Sequence, residues 1–169
     1  MGLLARSDEV LNTTPGVTRY MTATEQMLTQ KVYGNEMSLM LASRPPGYHS
    51  FPHSHDAEQL NYCLDGEIWI FVNEEGHLLK KGDFHRVPRG AIHWAWNRSD
   101  RDVTLLEAHT PPLISFPENP AREQHFVGLF ADGERTAVMA RVANTFRDEY
   151  ADHQKRVEAR IFSGQAVPG

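Results

Sequence analysis

Two short segments constrain this chain more than anything else in it. Residues 47–66 read GYHSFPHSHDAEQLNYCLDG, and residues 82–97 read GDFHRVPRGAIHWAWN. His53 and His55 stand at i and i+2, a spacing that aims both imidazoles to one side of an extended strand but not of a helix. Gln59, four residues on, opens the next apolar run and reaches the same point across a short turn. Glu58 beside it is the alternative oxygen donor, and alternation along the strand favours Gln59. His93 lies in the second segment and has to arrive from a neighbouring strand. Three imidazoles and one oxygen would leave positions open on a divalent cation, as a catalytic rather than a structural site requires.

Together the segments resemble the two signature motifs of the cupin superfamily. The first motif, G-x5-H-x-H-x3-E-x6-G, is met by Gly47, His53, His55 and Gly66, with Gln59 where Glu is usual. The second, G-x5-P-x-G-x2-H-x3-N, is met at every position by Gly82, Pro88, Gly90, His93 and Asn97. The resemblance spans roughly residues 37 to 112. It implies an all-β cupin barrel, a double-stranded β-helix or jelly roll, with one divalent transition metal ion (Zn, Ni, Fe, Mn or Co) held by His53, His55, Gln59 and His93.

Strand signals support that fold class on their own. From residue 59 onward, Gly- or Asp-bearing turns recur every 8 to 12 residues, at 65–66, 73–76, 81–83, 88–90 and 98–100. Evenly spaced short strands of this kind indicate an antiparallel sandwich or barrel. Upstream, 17–23, 27–33 and 37–43 read as three further strand-like runs, and residues 1–16 as an N-terminal arm. The barrel is accordingly expected over 17–112 and an irregular connector over 113–133. An amphipathic helix is expected over 134–163, where Val138, Val142, Phe146, Tyr150, Val157 and Ile161 recur at helical spacing.

Along 103–109, alternation puts Val103, Leu105, Glu107 and His109 on one face. If that face lines the cavity, Glu107 and His109 form the natural general acid/base pair. The segment around 53–67 resembles the KdgF-type cupins, which ketonise unsaturated uronates, and the likeness extends to Gly16-Val17-Thr18-Arg19 and Thr110-Pro111. In that family an Asp, and an aromatic two residues on, precede the Thr-Pro; Glu107 and His109 stand at those positions. The family's Arg just after the Thr-Pro has no counterpart at Pro112 or Leu113. A Gln-bearing donor set also resembles the cupin hydroxynitrile lyases.

These readings converge on a metal-dependent enzyme acting on a small oxygen-rich molecule by Lewis-acid and acid/base chemistry, of isomerase, lyase or cyclase type. Two alternatives stay open: a dioxygenase of a chelating enol or catechol-like substrate, and a non-catalytic small-ligand-binding cupin. A net charge of −5, with no Lys/Arg cluster, argues against a nucleic-acid partner. No apolar run is long enough to span a bilayer, and the N-terminus carries no secretion signal. The single cysteine, Cys63, reads as a small buried hydrophobe in a reducing cytoplasm. Strand edges and the apolar helix stripe need cover, so a homodimer is expected.

Overall fold

Alternating side chains cut by Gly, Asn and Asp turns produce a fold built almost entirely of short strands. The computed structural model describes residues 4–10, 21–22, 28–114, 127–129 and 142–164. Its strands are β1 (Met21–Thr22), β2 (Leu28–Tyr33), β3 (Ser38–Arg44), β4 (His49–Ser50), β5 (His53–Ser54), β6 (Glu58–Asp65), β7 (Glu67–Val72) and β8 (Glu75–Lys80). They continue with β9 (Phe84–Val87), β10 (His93–Trp96), β11 (Val103–Thr110), β12 (Leu113–Ile114), β13 (Val127–Gly128), β14 (Val142–Ala143) and β15 (Thr145–Phe146). One helix, α1 (Glu149–Ile161), follows.

One sheet runs β13-β2-β3-β11-β6-β9, antiparallel except where β13 joins β2. In the other, β10 is the hub. It pairs with β7, and through it β8, on one side, and with β4 and β5 on the other, while β1 and β15 extend the edge. This is the expected jelly roll with a C-terminal helix.

At one end of the barrel, Cys63, Ile68, Ile70, Leu79, Val103 and Leu105 form a dry core. Gly66 closes the β6–β7 turn at φ +82°, and a Cβ there would lie 2.8 Å from the Asp102 carbonyl oxygen. A side chain at that motif position is therefore excluded twice over, by conformation and by space. The second apolar cluster lies outside the barrel, where Phe71 and Trp94 meet Val157 and Phe162 beneath α1. Each such large buried side chain contributes about 1.5–3 kcal/mol. Gly76 lets the helix approach, since a Cβ there would sit 2.7 Å from Ile161 Cδ1.

The helix is shorter than the 134–163 expected from periodicity. Val142–Ala143 and Thr145–Phe146 are strands, pairing with β12 and β5, and residues 134–141 lie outside the described set. Pairing to available strand edges overrides the helical spacing of Val142 and Phe146, and among the described residues of that stripe Tyr150, Val157 and Ile161 are helical. The connector also departs from an irregular reading where it is described, because β12 and β13 both fall inside 113–133. Of the N-terminal arm, Ser7–Glu9 form a single 3-10 turn, and Gln30 Nε2 donates to the Ser7 and Val10 carbonyls, tying the arm to β2. Residues 11–20, which include most of the first expected strand run, lie outside the described set.

Candidate metal centre

His53 and His93 face each other across the β5–β10 pair, their rings 4.3 Å apart between centroids. His55 follows the end of β5, with its ring 4.6 Å from that of His93. One nitrogen from each imidazole lies within 4.8 Å of the other two. Their orientation is set by the backbone. His53 Nδ1 donates to the Phe51 carbonyl at 3.0 Å, His55 Nδ1 to Ala57 at 2.9 Å, and His93 Nδ1 to Ala91 at 3.0 Å. Each bond fixes the tautomer that leaves Nε2 bare, as in most metal-binding histidines. His93 Nε2 is buried and has no hydrogen-bond partner.

Gln59 and Glu58 part company at the start of β6. Gln59 is buried and turned inward, whereas Glu58 lies on the outer side and pairs with Arg86 at 2.5 Å. Gln59 Nε2 donates to Asn61 Oδ1 at 2.7 Å and to Glu107 Oε2 at 3.3 Å, so its carbonyl oxygen is left facing His55 Nε2 at 3.2 Å. Both of those atoms carry lone pairs and neither carries a proton. Two electron-pair donors held this close in a buried site repel unless a cation lies between them. The donor set therefore fits a divalent cation.

Burial keeps all three imidazoles neutral and ready to ligate. It pushes His53 down to about 4, with His55 adding to the effect, and lowers His55. His93 falls well below the ordinary histidine value by burial and by its neighbour His53.

β11 turns Glu107 and His109 inward, as alternation along the strand requires, with His109 opposite Gln59 and Glu107 opposite Asn61 in the adjacent β6. Glu107 Oε2 stands 3.9 Å from His109 Nε2. Burial, followed by the nearby Lys31 charge, holds His109 well below its usual pKa, and its Nδ1 is buried without a partner.

Three inward residues were not anticipated. Arg44, at the end of β3, forms a buried ion pair with Glu107 Oε1. Burial opposes the guanidinium charge, but Glu107 and Tyr48 outweigh it and raise the Arg44 pKa. Lys31, from β2, is fully buried and donates to the Leu113 carbonyl. Asn61 is the third. A signal for all three existed in strand alternation: Lys31 shares parity with buried Tyr33 in β2, Arg44 with buried Met40 and Ala42 in β3, and Asn61 with Gln59 in β6.

The remaining histidines and aromatics divide clearly. His49 stacks on Trp96 and bonds Glu158 at 2.7 Å beneath α1, so it is no part of the cavity mouth. Trp94 and Trp69 pack under the same helix. His85 reaches inward to Asn61 at 3.4 Å, and burial together with His77 lowers it to about 4. His153 tethers α1 to the Asn73 carbonyl. His125 lies outside the described residues.

Residues 40–109 match the family described as Cupin domain. Among solved structures, the chain is similar to a cupin-superfamily sugar phosphate isomerase from Silicibacter pomeroyi, with 19% identity and a TM-score of 0.53 over 61% of this chain and 72% of that one. An RmlC-like cupin from Shewanella frigidimarina gives 18% identity and a TM-score of 0.52 over 63% and 88%. KdgF from Halomonas sp. gives 17% and 0.49 over 56% and 86%. Likeness at these identities is one of fold. No curated protein matches the chain. With both histidine motifs folded onto facing strands of a jelly roll, and the domain match covering the strands that carry them, residues 40–109 of the chain form a cupin domain.

Proposed function

We propose that this cupin is an enzyme that holds one divalent transition metal ion through His53, His55, His93 and Gln59 and acts on a small oxygen-rich molecule by proton transfer, as an isomerase, lyase or cyclase. The observation that carries the reading is the convergence of bare electron pairs: the unpartnered His93 Nε2, and His55 Nε2 facing Gln59 Oε1 at 3.2 Å. When bound, the ion supplies Lewis acidity toward a carbonyl, enol or hydroxyl oxygen of the substrate. All four donors are uncharged, so they leave the ion's charge undiminished for that purpose. Zn, Ni, Fe, Mn and Co are all compatible with nitrogen and oxygen donors.

Proton movement falls to Glu107 and His109. Arg44 occupies Glu107 Oε1 and directs Oε2 toward Gln59 and His109. His109, neutral and with Nδ1 unbonded, can accept a proton from substrate or return one. The Arg44 and Lys31 charges favour a substrate that is anionic or becomes so during reaction.

The test is a screen of hydroxycarbonyl and enolisable acids in deuterated buffer, followed by nuclear magnetic resonance for isomerisation or exchange. Glu107→Gln is expected to keep the metal and lose at least 100-fold in turnover. Unchanged turnover would remove Glu107 from the chemistry, and stoichiometric oxygen consumption would point to an oxygenase instead.

The working form is proposed to be a cytoplasmic homodimer, joined through the outer face of the β2-β3-β11-β6-β9 sheet. Leu28, Leu39, Leu41, Leu60, Leu64 and Phe84 are exposed there, Phe84 at 82%. An apolar face of this extent calls for a partner surface, and a second copy offers the same apolar chemistry in return.

A further inference from the structure

We infer that Asn61 is a positioning residue: it decides which end of the Gln59 amide is presented to the metal. The inference rests on the metal site proposed above. An amide side chain offers an oxygen acceptor on one side and an NH2 donor on the other, and only the oxygen can ligate a cation. What surrounds Gln59 therefore determines whether it is a ligand.

The polarity of that surrounding is set step by step. Glu107, held at Oε1 by Arg44, presents Oε2 as an acceptor, so the Gln59 atom 3.3 Å away must be the donor Nε2. Asn61 Oδ1 accepts the second proton of the same nitrogen at 2.7 Å, the shorter of the two contacts. Reversing the Gln59 amide would set its oxygen against two acceptors at once. Asn61 is oriented in turn by its own Nδ2, which faces His85 Nδ1 at 3.4 Å. Burial keeps His85 neutral and able to accept. The result is a directional row, Glu107–Gln59–Asn61–His85, in which every amide points its oxygen the right way only if its neighbours do. Asn61 is 2% exposed and touches none of the three imidazoles in any recorded hydrogen bond, so its influence on the ion would run through Gln59.

The test is Co(II) binding to the metal-stripped full chain, read by calorimetry and by the d–d absorption spectrum, in wild type, Asn61→Leu, Asn61→Asp and Gln59→Leu. Asn61→Leu keeps the branched four-atom side chain and removes the acceptor. It is expected to weaken Co(II) binding 10- to 100-fold and to shift the spectrum toward that of Gln59→Leu. Asn61→Asp keeps an acceptor toward Gln59 and should bind within a few-fold of wild type. The spectral shift toward Gln59→Leu, read beside thermal unfolding of each variant, separates lost orientation from a packing defect. Should Asn61→Leu fail to fold, Asn61→Ser, which withdraws the acceptor from reach, takes its place. Wild-type affinity and spectrum in Asn61→Leu, alongside losses in Gln59→Leu, would overturn the positioning role alone. No change in Gln59→Leu would overturn Gln59 as a ligand, and the inference with it.

Discussion

Arg44 and Glu107 form a buried ion pair, and this governs what any substitution there would do. Taking two charges from water is costly, and the cost is offset only while both partners are present. Arg44→Met leaves the Glu107 carboxylate buried with, among the described residues, the Gln59 amide as its hydrogen-bond donor. The expected loss is about 3–5 kcal/mol of stability, seen as a lower midpoint in thermal or urea unfolding. Arg44→Met combined with Glu107→Leu should be more stable than Arg44→Met alone, because the stranded charge is gone. A single substitution within about 0.5 kcal/mol of wild type would mean that the pair is not buried as described. At this scale the sequence disclosed the groups fixed by spacing and hid those fixed by tertiary approach. His53, His55 and His93 were legible because i,i+2 spacing and a second motif define where they point. Arg44 and Lys31 were carried only by alternation within β3 and β2, which sorts side chains onto two faces without saying which face is buried.

The six-stranded sheet explains why. In β2, β3 and β6 the usual division is partly reversed: Lys31, Arg44, Gln59 and Asn61 face in, while Leu39, Leu41, Leu60 and Leu64 face out. Apolar residues go inward when the interior is a core. Here part of the interior is lined by buried polar side chains, so apolar residues are left outside. The stretches between the expected turns contain strands, and β7 and β9 match them in full, whereas β8 begins at Glu75, inside the turn expected over 73–76. The direction of burial was not readable, except in β11, where apolar and site residues share one face. The same holds for 142–146, whose helical spacing gave way to pairing with β12 and β5. The exposed face makes its own prediction. The wild-type chain should elute with the mass of a dimer in light-scattering chromatography, and Leu60→Glu with Phe84→Glu should elute as a folded monomer. A monomeric wild type, or a double variant that stays dimeric, would contradict the proposed interface.

Taken whole, the molecule divides its labour along the barrel axis. One end is dry and packed around Ile68, Ile70 and Leu105; the other gathers imidazoles, amides and one clamped carboxylate. The C-terminal segment serves the second end twice over. β15 pairs with the histidine strand β5, and α1 is bolted to the back of β10 through Glu158, which accepts from Trp94 Nε1 at 2.8 Å. The strands bearing His53 and His93 are thus supported from behind, and rigid support of this kind is what a metal site needs. No helix among the described residues is long and apolar enough to cross a membrane. The proposed chemistry depends on a cation being held where the imidazole nitrogens meet. Mass-spectrometric metal analysis of the protein purified without added metal or chelator tests this most directly. The account predicts one divalent transition metal ion per chain, lost when His53 and His93 are both replaced by alanine. Metal content far below one ion per chain, or content unaffected by those two replacements, would contradict it.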